Sequence, residues 1–177
     1  MQVRIVPVGE IDTTVLGEAA GVLREQYDAS VDVDTAVPYS ALEVDPRATP
    51  YDAERILSLE AEYTTPELLV FLTRLPITHA DRAFVFGIAD EEQSACLVST
   101  YRLFQSIDGN TLADPGTALF RVRKEVAHEV GHTLGQPHCG DSECVMNFSM
   151  DLSGIDNKSE QLCGNCAAAL TSGTGRR

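Results

Sequence analysis

Residues 128–138, His-Glu-Val-Gly-His-Thr-Leu-Gly-Gln-Pro-His, restrict the fold of this chain more than any other segment. His128 and His132 stand four apart, so on a helix both imidazoles share one face and reach a single ion. Glu129 is offset from that face; it does not coordinate the ion but sits beside a water bound there. A helix cannot bring a third ligand round to the same metal. The chain must therefore turn sharply, and Gly135 tolerates the positive φ of such a turn. His138 then returns as third ligand. Three histidines leave a fourth position open for water, the catalytic rather than the structural arrangement of zinc.

The cysteines extend the constraint. Of five, four fall near the C-terminus as two close pairs, Cys139-x4-Cys144 and Cys163-Gly-Asn-Cys166. An odd count, behind an N-terminus with too short an apolar run for a signal peptide, argues against a disulfide scaffold. Two close pairs of thiols suit a closed tetrahedral zinc site, which would fix a loop-rich segment too small to bury much core. Cys139 adjoins His138, so the structural ion would steady the third ligand of the catalytic one. The expectation is two zinc ions per chain. Cys96, inside Ala95-Cys-Leu-Val, reads as a buried small hydrophobe. His79, in a loop-like Thr-His-Ala-Asp context, is not counted among the ligands.

Ahead of this segment, Val3, Ile5 and Val8 form a short β-like run ending at Gly9, and Asp12 is placed to cap a helix that ends near Tyr27. Ala29 to Val37 alternates like a half-exposed strand. Residues 38–50, with Pro38, Pro46 and Pro50, read as a loop, and a helix is expected from Asp52 to about Glu62. Leu68 to Leu72 suits a buried strand, although Pro66 could equally open a helix. Ala83 to Ala89 and Ala95 to Leu103 read as two further strands joined by Asp90-Glu-Glu-Gln. The long helix is expected from about Thr117 to Leu134, with Gly135 and Pro137 as stop signals. A short helix is expected around Glu160 to Leu170, and the tail from Thr171 should fray.

With 44% apolar residues, 177 residues suffice for the core of one domain. The net charge of −14, from 27 acidic and 13 basic residues, argues against binding nucleic acid through a basic surface. No stretch approaches the roughly 18 apolar residues of a membrane span. The expected protein is therefore cytoplasmic, monomeric, and free of nucleic-acid and membrane partners. Eleven of the basic residues are arginine; only Lys124 and Lys158 are lysine. Such a surface fits either a high-salt cytosol or ordinary acidic solubility.

The segment His128 to Cys166, H-E-x-x-H-x-x-G-x3-C-x4-C-x-M followed by C-x-x-C, resembles the archaemetzincins, a family of metzincin-type zinc metallopeptidases. Asp156-x-Lys158, Phe84-Val-Phe-Gly87 and Ser99-x-x-Arg102-Leu103 are also similar to motifs of that family. The resemblance implies that Met146 is the methionine of a Met-turn beneath the catalytic zinc. It implies an α+β fold with an α/β-like upper lobe, about 1–135: a mixed twisted sheet with helices, resting on the active-site helix. A small, loop-rich, zinc-bound lower lobe, about 136–177, completes a single metallopeptidase domain. An edge strand containing Phe84, Val85, Phe86 and Gly87 would pair with an extended peptide substrate.

The function this points to is hydrolysis of peptide bonds by a zinc-bound water that Glu129 deprotonates. A non-hydrolytic zinc protein that binds peptides or partners is the competing reading, and the presence of Glu129 favours the enzyme, since binding alone does not need it. A nucleic-acid binder built on the cysteine pairs is disfavoured by the charge. Tyr101 and Arg102 are further candidates for the cleft.

Overall fold

Local signals at the N-terminus translate directly into structure in the computed structural model, which describes residues 1–42, 49–63 and 67–172. β1 (Gln2–Val8) stops at Gly9, whose φ of +78° lets the chain turn. Asp12 accepts a hydrogen bond from the Thr14 N–H at 2.7 Å and caps α1 (Thr13–Tyr27). β2 (Ser30–Val33) returns parallel to β1 and is shorter than the Ala29–Val37 strand expected from alternation. β3 (Tyr51–Asp52) leads into α2 (Ala53–Leu57), and the helix expected to reach Glu62 tightens into a 3-10 turn over Ser58–Glu62. Pro46, Pro66 and residues 173–177, on which a loop, an alternative helix start and a frayed tail were expected, lie outside the described residues.

β4 (Leu68–Thr73) is buried along its whole length between parallel neighbours, as its unbroken apolar run implies. The next stretch departs from expectation. β5 (Ile77–His79) gave no sequence signal, and the single strand expected over Ala83–Ala89 divides into β6 (Arg82–Val85) and β7 (Gly87–Asp90). β6 pairs antiparallel with β5, whereas β7 pairs antiparallel with β8 (Ala95–Ser99). A change of partner sheet in mid-run needs neither Gly-Pro punctuation nor a break in hydrophobicity, so the alternation pattern conceals it.

α3 (Pro115–Thr133) is capped by Asp114, starts with Pro115, and ends before Gly135 at φ +79°. α4 (Leu152–Asn157), capped by Asp151, was not anticipated. α5 (Gly164–Thr171) begins after Cys163 rather than at Glu160. No helix among the described residues is long and apolar enough to cross a membrane.

The main sheet runs β2-β1-β4-β8-β7, with four parallel strands and β7 antiparallel at one edge; β3-β5-β6 form a second sheet. Period-two alternation sorts the core. Val3, Ile5, Val70, Leu72, Cys96 and Val98 face α1 and α3, while Val6, Val8, Phe71 and Leu97 face α2. The result is a mixed α/β architecture with α3 laid under the β7–β8 side of the sheet.

Candidate active site and metal centres

α3 presents His128 and His132 one turn apart, with their Nε2 atoms 3.1 Å from each other. Nδ1 of His128 lies 2.8 Å from the Val145 carbonyl and Nδ1 of His132 lies 2.7 Å from the Gln136 carbonyl. Each carbonyl accepts from a protonated Nδ1, so both Nε2 lone pairs face each other across the site. The turn at Gly135 carries His138 back, and one ligand nitrogen from each histidine falls within 4.8 Å of the others. Two unprotonated nitrogens at 3.1 Å repel unless a cation lies between them. Metal–nitrogen bonds of about 2.0–2.1 Å in a tetrahedral site space nitrogens by about 3.3 Å, so the separation fits zinc. Burial is the main cause that shifts all three histidines toward the neutral form, with the Lys158 ammonium adding to it. Neutral imidazole is the metal-binding species.

Glu129 is buried, and its side chain lies against the backbone of Gly87 at the start of β7. A Cβ at residue 87 would come within 2.7 Å of Glu129 Cγ and of the Leu97 carbonyl oxygen, so only glycine fits. Burial raises the Glu129 carboxyl well above the usual range; the Glu125 carboxyl adds to this and Lys158 opposes it. A carboxyl raised in this way accepts a proton more readily. These groups line a cleft of about 960 Å³ roofed by β6 and β7, with Phe148, Ser149 and Met150 opposite. Phe84, Val85, Phe86 and Gly87 all line the cleft, but they do not form one edge strand: Phe84 and Val85 end β6, Gly87 opens β7, and Phe86 joins the two.

Beneath α3, Met146 is fully buried and its thioether packs on Gly131, where a side chain would collide with it. The Met146 carbonyl accepts from the Cys139 N–H at 2.9 Å, which straps the cysteine loop to the histidine centre. Cys139 and Cys163 Sγ are 3.8 Å apart, and Cys144 and Cys166 Sγ are 3.7 Å apart. A disulfide needs about 2.05 Å. Four thiolates at about 2.3 Å from a tetrahedral zinc stand about 3.8 Å apart, which matches. The backbone N–H of Cys166 leads the contacts that lower the Cys163 thiol to about 7, so it offers a thiolate readily.

The structure separates the remaining candidates. His79 lines the cleft but sits 3.5 Å from the Glu54 carboxylate and outside the three-histidine group. Tyr101 faces a different cavity, and the Arg102 guanidinium stacks on Phe84 at 4.0 Å. Sequence reasoning missed the pair beneath the site. Lys158 is 3% exposed; its Nζ lies 3.2 Å from the Asn147 carbonyl, 3.5 Å from His128 Nδ1 and 3.3 Å from Glu125 Oε1. The contact with Glu125 has ion-pair distance without hydrogen-bond alignment. Asp156, two residues before it, grips Arg121 with both oxygens. The Asp156-x-Lys158 spacing carried this signal, but Glu125 had none beyond its place one turn ahead of Glu129.

Comparison with known proteins agrees in both sequence and shape. A model of peptidase family M54 matches residues 56–172. The chain is 39% identical to the archaemetzincin of Natronomonas pharaonis and 38% identical to that of Halobacterium salinarum, each over 94% of this chain and 97% of the relative. The archaemetzincin of Methanopyrus kandleri superposes with a TM-score of 0.82 at 27% identity, covering 99% of this chain and 96% of the other. That of Archaeoglobus fulgidus, complexed with malonate, gives 0.78 at 29% identity, covering 95% and 99%.

Proposed function

The chain belongs to peptidase family M54, the archaemetzincins, and is a zinc-dependent metallopeptidase; from that premise we propose that Glu129 is its general base and that His128, His132 and His138 hold the catalytic zinc. What supports this assignment is the convergence of three imidazoles, two of them pinned through Nδ1 to backbone carbonyls so that Nε2 is free for metal. Zinc bound there supplies Lewis acidity to water and to the scissile carbonyl. Glu129 takes the proton of the attacking water and carries it to the leaving nitrogen. Its raised proton affinity suits both halves of that transfer. Gly87 keeps the carboxyl in place by leaving room for it.

We assign a second zinc to Cys139, Cys144, Cys163 and Cys166, in a structural role. Met146 acts as the Met-turn residue and Gly135 as the turn that delivers His138. In this reading residues 1–135 form an upper lobe and 136–177 a lower lobe of one metzincin-type domain. Peptide or protein substrates lie in the cleft between them, extended along β7, whose outer edge pairs with no strand among the described residues. The reduced thiols and the acidic charge fit a cytoplasmic monomer that binds neither nucleic acid nor membrane.

Metal content and turnover together test the assignment. Wild type and Glu129→Gln should each carry two zinc ions, whereas His132→Ala and Cys144→Ser should each lose one. Glu129→Gln should cleave a peptide library roughly 10²–10⁴-fold more slowly. Full turnover in Glu129→Gln would remove the carboxylate from the chemistry, and one metal in wild type would refute the thiolate site.

A further inference from the structure

A second cavity, of about 1220 Å³, opens where β1, β2, β4 and β8 end, away from the histidines. The four strands are parallel, so this is the carboxyl edge of the sheet. In open parallel sheets ligands bind in the crevice at this edge, where the connections from neighbouring strands leave toward opposite sides. Here that point lies between β1 and β4. The chain leaves β1 toward β2 on one flank, and β4 is followed across the sheet by β8 on the other. Gly9, directly after β1, and Arg74, directly after β4, both line the cavity.

The walls are largely apolar and aromatic. The Tyr39 ring lies against Gly9, where any Cβ would strike it, and Tyr101, Phe104 and Leu119 complete the enclosure. Arg74 is the single cation on this lining among the described residues. Arg4, Arg121 and Arg123 hold carboxylates, and Arg82 and Arg102 lie over rings. The Arg74 guanidinium has no such partner among the described residues.

We propose that this cavity is a binding site for a small organic monocarboxylate with an aromatic or branched apolar body. Arg74 meets the carboxylate as a planar fork, and the rings of Tyr39, Tyr101 and Phe104 take the body. Glu10 and Asp12 on the same lining repel a doubly charged phosphate about twice as strongly as a singly charged carboxylate, and Asp12 already fills the anion seat at the start of α1, which leaves Arg74 to meet one negative charge. The site is separate from the proteolytic centre. Leu119 on its wall and His128 are nine residues apart along α3, about 13 Å of helix.

Calorimetric titration of the zinc-loaded full chain tests this, with the catalytic centre first saturated by a hydroxamate. The probes are 3-phenylpropanoate and its neutral isostere 3-phenylpropanamide. The acid should bind roughly ten-fold or more tightly than the amide, as an ionised hydrogen-bonded contact implies. Arg74→Met should remove that preference and leave the amide's affinity unchanged; Tyr101→Ala should weaken both probes. Both residues are exposed, and an unchanged melting temperature would certify each variant as folded. Equal affinity for acid and amide, an acid preference that survives Arg74→Met, no heat at roughly 10 mM probe, or binding only when the hydroxamate is left out would each overturn the proposal.

Discussion

Gly131→Ala places a methyl group where Met146 already rests. An ideal Cβ at residue 131 would lie 2.9 Å from Met146 Cε, closer still to Sδ, and 3.3 Å from Tyr27 Oη. Nonbonded carbons settle at about 3.5–4.0 Å, so the thioether must withdraw by more than about 0.6 Å in a core where it is fully buried. Overpacking of this kind costs about 1–3 kcal/mol, while alanine gains about 1 kcal/mol over glycine in a helix. The net is a destabilisation of about 0–2 kcal/mol, or a melting temperature lowered by up to about 8 °C. The direction of the strain distinguishes packing from propensity. Met146 follows Val145, whose carbonyl fixes His128 Nδ1, so a displaced thioether turns the His128 imidazole, the proposed zinc ligand. Zinc affinity at the histidine centre should fall roughly 10-fold, the effect of disturbing a group that orients a ligand. A chromophoric chelator competition and a thermal melt of zinc-loaded protein measure the two quantities. In a double-mutant cycle with Met146→Ala, the two changes should cost less together than separately, by about 1 kcal/mol. A Gly131→Ala protein that is more stable than wild type and binds zinc unchanged would refute the packing argument.

Lys158→Met leaves the Glu125 carboxyl buried without its counter-ion and should cost about 3–5 kcal/mol in chemical denaturation, most of it recovered in Lys158→Met with Glu125→Leu. Equal losses in the single and double variants would sink the idea of a compensated pair. Metal-free protein should lose stability as pH falls below about 6.5, because burial keeps the three histidines neutral when folded and unfolding lets them take protons. Urea midpoints at about pH 7.5 and 5.5 check the sign, which should weaken in His128→Leu. With a net charge of −14, the melting temperature should climb from dilute buffer to molar potassium chloride; a flat curve would mean that self-repulsion is negligible here.

Much of the site was legible because its spacing is local. Two histidines four apart, a glycine three beyond and a histidine three further need only the geometry of one helix and one turn, and the structure brings all three imidazoles together. The four cysteines were readable for a related reason: thiols in close pairs have few other uses in a chain without disulfides. The helix start at Asp12 was equally plain, since a capping carboxylate acts within three residues, whereas the long helix begins at Pro115, two residues ahead of the Thr117 expected, with Asp114 as its cap. α4 was hidden because its short run carries no helical period longer than a turn and a half, and β5 because three residues define no alternation.

What the sequence by itself determined is the composition of the site: which histidines and cysteines come together in groups able to hold metal, which carboxylate stands beside the histidines, and, to within two residues, the span of the long helix. Each follows from contacts along a few residues of chain. The tertiary structure alone decided how residues 82–90 divide between two sheets, and that division sets Gly87 against Glu129. It also decided that Met146 seats on Gly131, that Lys158 lies beside Glu125 beneath His128, and that four strand ends border a second cavity lined in part by Arg74. These contacts join segments fifteen to forty or more residues apart, and their energies depend on shape and burial that appear only once the core has closed.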